Sequence, residues 1–226
     1  MSKRTQIIVF DVNETLLDIE VLNPFFYRTF GEARIMREWF AELILYSQAL
    51  TLIGFYNDFS KLAIEVLFMF AKARSIKLEE NDVVEFVNIM CKLPAHNDVF
   101  QALNMLRDAD FRIVTLTNSP SESSKLLLDK ANLSGYFEKQ FSVDSVKKFK
   151  PSPDTYKMVA TNLGVAINKL RLVSAHTWDT TGATAAGCRS ALVARHYNAP
   201  LNIGTQPDIV DLDLICVARK IIETDI

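Results

Sequence analysis

A four-residue apolar run, Ile7-Ile8-Val9-Phe10, stops abruptly at Asp11-Val12-Asn13-Glu14-Thr15. Apolar residues without polar alternation, three of them β-branched, predict a strand buried on both faces, as in a parallel sheet. Parallel strands need long crossovers, usually helical, so this run directs the chain toward an α/β architecture. It also puts Asp11 at the carboxyl end of the strand, where open α/β sheets bind their ligands. An aspartate there is a candidate nucleophile or metal ligand, or else a turn or cap residue.

After Asp18 the pattern becomes helical and stays so until about Leu93. From Val21 through Arg74, apolar residues recur at three- and four-residue spacings without strand alternation. Gly31, Gly54 and Asn57-Asp58 punctuate this stretch into several helices, and Lys77 to Lys92 predicts one more, closed by Pro94. From Asn97 helix and strand alternate. Helices are expected over Asp98–Arg107, Glu122–Ala131, Pro153–Leu163 and Asp179–Ala186, with a terminal one from about Leu212. Strands are expected over Arg112–Thr117, near Gln140–Val143, over Leu170–Ser174 and Ser190–Val193, with a short apolar stretch around Ile209. The expected fold is therefore α/β: a Rossmann-like parallel sheet with helices on both faces and an inserted helical cap domain. Residues 1–17 and 95–226 form the expected core, and 18–94 the cap.

Composition narrows the function classes. The chain has 226 residues and a formal net charge of -2, which provides no basic footprint for nucleic acid and no polybasic membrane patch. Cys91, Cys188 and Cys216 are few and widely spaced, so no disulfide framework or zinc site is expected. Met1-Ser2-Lys3-Arg4 is basic, but the apolar run that follows is too short for a signal peptide. No segment reaches the roughly 18 apolar residues of a membrane span, and a cytoplasmic location is expected.

Polar residues collect after the other core strands. Thr117-Asn118-Ser119-Pro120 follows one strand and opens a helix whose free N–H groups suit an anion. Lys150 lies in Phe149-Lys150-Pro151-Ser152-Pro153, just before a helix, and Ser174-Ala175-His176-Thr177-Trp178-Asp179 follows another strand. In a parallel sheet these ends share one edge, so the clusters should converge on Asp11.

The four clusters resemble the four motifs of the haloacid dehalogenase superfamily, and the resemblance spans nearly the whole chain. Phe149-Lys150-Pro151 followed by Tyr156, and Ser174 with Trp178-Asp179-x-x-Gly182, are similar to the type II L-2-haloacid dehalogenases. Arg37 occupies the place where that family's cap supplies a substrate-binding arginine. Asn13 departs from the superfamily's phosphatases, which carry there an aspartate that protonates the leaving alkoxide; an amide cannot do so. The Asp179 motif offers one carboxylate where a hard cation wants several oxygens, so magnesium is disfavoured and no metal or cofactor is expected. Glu14 stands where the family usually has glycine, and His176 where it has asparagine. A subset of the family resembles this chain at both positions and uses the pair as a base. His96 is expected in a loop and His196 on the surface.

The resemblance implies hydrolysis of short 2-halocarboxylic acids to 2-hydroxy acids with inversion, through an ester on Asp11. Lys150 would keep Asp11 ionised, since opposite charges ~4 Å apart attract by about 4 kcal/mol at an effective dielectric of roughly 20. The Thr117 hydroxyl and N–H groups near Val12, Asn13 and Asn118 would hold the substrate carboxylate. Arg37 and Asn118 would receive the halide. His176 and Glu14 would activate water for ester hydrolysis, while Thr15, Ser174 and Asp179 orient Asp11 and Lys150. Tyr156 would support Lys150 or the substrate, and Trp39, Phe59 and Trp178 are candidates for the apolar wall. The resemblance also implies a homodimer through the helical insertion. The rival readings are a magnesium-dependent phosphatase of the same superfamily and a binding protein on an inactive scaffold.

Overall fold

The computed structural model describes residues 6–225; the basic stretch expected at residues 1–4 lies outside them. Six strands form one sheet in the order β3-β2-β1-β4-β5-β6. They are β1 (Ile7–Phe10), β2 (Arg112–Thr117), β3 (Lys139–Ser142), β4 (Leu170–Ser174), β5 (Arg189–Val193) and β6 (Ile209–Asp211). Every pairing is parallel. β1 is central, between β2 and β4, and each of its four residues is buried, which is why the run carries no polar alternation. This doubly wound order reverses between β1 and β4, so the crevice at their carboxyl ends is where such a sheet binds ligands.

Helices α5 (Val99–Asp108) and α9 (Leu214–Thr224) pack on each other, as do α7 (Pro153–Leu163) and α8 (Thr177–Ala186), and α6 (Ser121–Lys130) packs on β3. The helix α8 begins two residues before the expected Asp179, because the chain turns directly from Ser174 through His176 into the helix. Asp179 consequently sits in the first turn, where the helix dipole favours a negative charge. The last helix starts at Leu214, capped by the Asp213 carboxylate, which accepts from the Cys216 N–H at 2.7 Å.

Between β1 and β2 the chain forms α1 (Asn23–Phe30), α2 (Ile35–Leu52), α3 (Phe59–Ala73) and α4 (Glu80–Met90). Their boundaries follow the punctuation. Gly31 ends α1 in a left-handed conformation, and Asp58 caps α3 by accepting from Ser60 N at 2.7 Å. A capping box between Glu79 and Asp82 starts α4 three residues later than the expected Lys77. The aromatic centre of this insertion is Phe25, Phe26, Trp39 and Phe86, with ring centroids 5.2 to 6.3 Å apart. The insertion grips the core through Phe149: Thr51 Oγ1 accepts from its N–H at 3.0 Å, and Tyr56 stacks on its ring at 4.9 Å. No helix among the described residues is long and apolar enough to cross a membrane.

Toward the opposite end of β4, fully buried Arg171 donates to Asp225 at 2.5 and 2.8 Å and to Asp208 at 2.6 and 2.9 Å. This ties the end of α9 to the sheet. Removing one member of such a network leaves uncompensated buried charge, so Arg171→Met should lower stability by roughly 3–5 kcal/mol in denaturant unfolding. Gly182, inside α8, faces Pro151 so closely that a Cβ there would lie 2.3 Å from Pro151 Cβ. Alanine would gain about 1 kcal/mol of helix propensity but cost ~1–3 kcal/mol by overpacking. Gly182→Ala is therefore expected to lower the thermal midpoint despite its better propensity, because Pro151 must move.

Candidate active site

The polar strand ends do converge. Asp11 follows β1 and is anchored by its own N–H, which donates to Val173 O at 3.0 Å. Asp11 Oδ1 accepts from Lys150 Nζ at 2.7 Å and Oδ2 from Thr15 Oγ1 at 2.7 Å. The Thr15 oxygen itself accepts from the Ala175 N–H at 2.8 Å, which leaves its proton directed at Asp11. Lys150 Nζ also donates to Asp179 Oδ2 at 2.6 Å and to Leu116 O at 3.2 Å. Tyr156 Oη donates to the other Asp179 oxygen at 2.6 Å. Asp11, Lys150 and Asp179 are each 5% exposed or less.

Charges set the protonation states of this cluster. Burial disfavours the charged Asp11, but Lys150 and His176 outweigh it and hold the carboxyl well below its usual range. Burial likewise opposes the Lys150 ammonium, and the charges of Asp11 and Asp179 override it and raise the group. An ionised Asp11 with ordered oxygens is equipped for nucleophilic attack.

Glu14 and His176 form a second pair beside the first. Glu14 Oε2 lies 2.7 Å from His176 Nε2, and His176 Nδ1 lies 3.2 Å from Asp11 Oδ2 without an aligned hydrogen bond. Burial disfavours the imidazolium, but the carboxylates of Asp11 and Glu14 beside its two ring nitrogens outweigh it and push His176 up to about 9. Burial opposes ionised Glu14 as well, yet His176 and Arg37 keep its carboxyl low. Glu14 adopts a φ of 65°, in the left-handed region that favours glycine. His96 Nε2 bonds the Glu14 carbonyl oxygen at 3.0 Å, and Arg195 donates to Thr15 O at 2.8 and 3.1 Å while pairing with Asp98. These two residues hold the turn, and sequence reasoning missed both. Arg195, a charge two residues beyond a core strand on the ligand edge, was the available signal.

A small cavity of about 10 Å³ lies over Asp11. Its polar walls are Asn13, Thr117, Asn118 and His176, and its apolar walls are Phe40, Ile44, Phe59 and Trp178. A wider cleft of about 470 Å³ shares Phe40, Ile44, His176 and Trp178. Trp178 stacks on His176 at 4.9 Å and lies 5.7 Å from Lys150 Nζ. Val12 is buried in the same turn, and its carbonyl accepts from Leu16 and Leu17. Asn118 Oδ1 accepts from the Lys150 N–H at 2.9 Å, and Thr117 Oγ1 accepts from the Ser119 N–H at 3.1 Å.

Several residues stand elsewhere than expected. Arg37 does not line the Asp11 cavity: its guanidinium pairs with Glu14 and Glu20 and packs over Tyr197 at 4.8 Å. The Glu14 carboxylate lies between it and His176 and captures it. Trp39 belongs to the centre of the insertion, its Nε1 donating to Ala63 O at 3.0 Å, so it is not a cavity wall. Phe40, the next residue, faces the cavity instead, together with Ile44. Ser174 accepts from the His176 N–H at 3.1 Å and so positions His176 rather than Asp11 or Lys150. Tyr156 serves Asp179. His96 does stand in the loop before α5, as expected, half-buried there.

A family model described as haloacid dehalogenase-like hydrolase matches residues 5–187. The (S)-2-haloacid dehalogenase 2 of Pseudomonas sp. (strain CBS-3) is 28% identical over 205 residues, covering 90% of each chain. The (S)-2-haloacid dehalogenase 4A of Burkholderia cepacia is 28% identical over 195 residues, 85% of this chain and 84% of that one. Among solved structures, L-2-haloacid dehalogenase from Xanthobacter autotrophicus with chloropropionic acid covalently bound has a TM-score of 0.88. It is 24% identical and covers 97% of this chain and 98% of its own, a likeness of fold. With its ordered Asp11, its Lys150 bridge and this match over most of its length, the chain belongs to the haloacid dehalogenase-like hydrolases.

Proposed function

We propose that this hydrolase is an L-2-haloacid dehalogenase that converts short 2-halocarboxylic acids to 2-hydroxy acids through an ester on Asp11. The observation that carries the reading is the buried Asp11 carboxylate held ionised by Lys150 beneath a small, largely apolar cavity. Its carboxylate attacks the α-carbon opposite the halogen, with inversion, and the halide leaves with the bonding electrons. The substrate carboxylate is held by Thr117 and N–H groups of Val12, Asn13 and Asn118, and the halide is received beside Asn118. Residues 18–94 act as a cap over the core of 1–17 and 95–226, Phe40 and Ile44 closing on the reacting carbon.

Hydrolysis of the ester falls to His176 and Glu14. The Nε2 atom of His176 is engaged by Glu14, so Nδ1, which faces Asp11, takes the proton of the attacking water. Arg37 acts through Glu14 here, orienting its carboxylate, and not as the halide acceptor. A magnesium-dependent phosphatase is the weaker reading, because Asn13 cannot serve as the acid for a leaving alkoxide.

The deciding assay is halide release from L- and D-2-bromopropanoate with EDTA present, beside phosphate-ester hydrolysis with Mg²⁺. Release from the L-isomer alone, lost in Asp11→Asn, is the expected outcome; phosphate release without halide would overturn the reading. His176→Asn should form the ester but hydrolyse it ~10²-fold or more slowly, as loss of a general base does. Intact-mass spectrometry would then show the substrate adduct accumulating on Asp11. Glu14→Gly relieves the left-handed backbone and is expected to unfold no more readily than wild type, while also trapping the adduct.

A further inference from the structure

Three buried carboxylates meet around the reacting centre: Asp11, Glu14 and Asp179, at 5%, 3% and 0% exposure. Two permanent cations answer them. Lys150 bridges Asp11 and Asp179, and Arg37 pairs with Glu14. Glu20, on the other arm of Arg37, is partly solvated, and His96 contacts Glu14 through its backbone oxygen. Arg195, on the same turn, is matched by Asp98; among the described residues in contact with these carboxylates His176 supplies the third positive charge, lying between Asp11 and Glu14 at 3.2 and 2.7 Å. The rings of Phe40 and Trp178 pack beside it, 5.6 and 4.9 Å away. A buried site with an unbalanced charge is costly, so the resting count closes at zero with His176 as the imidazolium. Its upward displacement to about 9 agrees with that count.

Alkylation changes the count. When Asp11 becomes an ester its charge is lost, and two carboxylates face two permanent cations. The negative charge that faced His176 Nδ1 from 3.2 Å is then gone. The substrate carboxylate adds the same charge before and after this step, so what alkylation changes is the charge facing Nδ1, while Glu14 stays on Nε2.

We infer that His176 is an imidazolium in the resting enzyme and releases its proton when Asp11 is alkylated, so that ester formation itself creates the base for ester hydrolysis. The chemistry of this step rests on the dehalogenase reading. In the first half, the Asp11 carboxylate and the haloacid become ester and halide, and His176 gives one proton to solvent. In the second, water adds to the ester carbonyl carbon and His176 Nδ1 takes one of its protons. The other water proton ends on the product hydroxyl as the ester bond breaks, restoring carboxylate and imidazolium. The sum is one haloacid and one water to one hydroxy acid, one halide and one proton. That proton departs with the halide, not with the alcohol. Glu14, on Nε2, borders a polar cavity of about 210 Å³ that includes His96 and Arg195, a route for the proton to solvent.

The test is an NMR titration of the histidine rings in wild type and in Asp11→Asn, whose amide copies the ester's loss of charge at similar size. The His176 signal is assigned by its absence from His176→Asn. Expected is a charged ring at about pH 7.5 in wild type and a fall of about two units or more in Asp11→Asn. A neutral ring in wild type, or a fall of less than about half a unit, would overturn the inference. A second measurement follows proton and bromide release together, with wild-type enzyme in excess over L-2-bromopropanoate and an indicator dye. About one proton per bromide in the same phase supports the inference, and a proton that instead follows hydroxy-acid formation refutes it. No bromide at all would overturn the dehalogenase reading and the proton step with it, whereas the histidine titration tests the charge linkage independently of turnover.

Discussion

The buried ammonium of Lys150, held between Asp11 and Asp179, is the interaction on which the rest of the structure depends. Three charged groups removed from water are tolerated only when each is paired and its remaining hydrogen-bonding capacity is satisfied. The fold meets that demand from four directions. Thr15 satisfies Asp11, Tyr156 satisfies Asp179, Leu116 O takes a further Lys150 proton, and Asn118 holds the Lys150 backbone. These partners come from the ends of β1 and β2 and from α7, so the sheet and its flanking helices must be assembled before the charges can be buried. The insertion adds its own restraint by packing Tyr56 and Phe59 on Phe149, the residue before Lys150.

Beside this triad, Glu14 holds a costly backbone conformation. A left-handed backbone at a residue with a side chain costs of order 1–3 kcal/mol, which glycine would not incur. The return is a carboxylate placed on His176, with Arg37 behind it and His96 and Arg195 clamping the turn. The arginine of the insertion, Arg37, is paired with Glu14 and Glu20 and stands away from the Asp11 cavity. The two pairs, Asp11–Lys150 and Glu14–His176, meet where His176 Nδ1 lies 3.2 Å from Asp11 Oδ2 and are electrostatically one unit.

Strand and helix positions were largely legible because they depend on local regularities. The unbroken apolar run of β1 could not sit half-exposed, and Pro153 and Gly31 mark helix ends by their own backbone geometry. The helix expected from Asp179 starts at Thr177, and the partners of Asp179 in space, Lys150 and Tyr156, hold it inside the first turn. Trp39 and Phe40 illustrate the same limit. Adjacent aromatic residues on a helix point about 100° apart, and only the packing of the insertion against the sheet decides which one meets Asp11.

By itself the sequence determined the parallel α/β core, the helical insertion and the convergence of Asp11, Thr117-Asn118, Lys150 and Ser174 to Asp179, since strand ends of a parallel sheet must share an edge. Tertiary structure alone decided how those groups pair: Arg37 on Glu14, Ser174 on the His176 backbone, Tyr156 on Asp179. Hydrogen bonds and ion pairs act over about 3 Å, a scale set by side-chain packing between segments far apart in the chain, and no local pattern of residues encodes it.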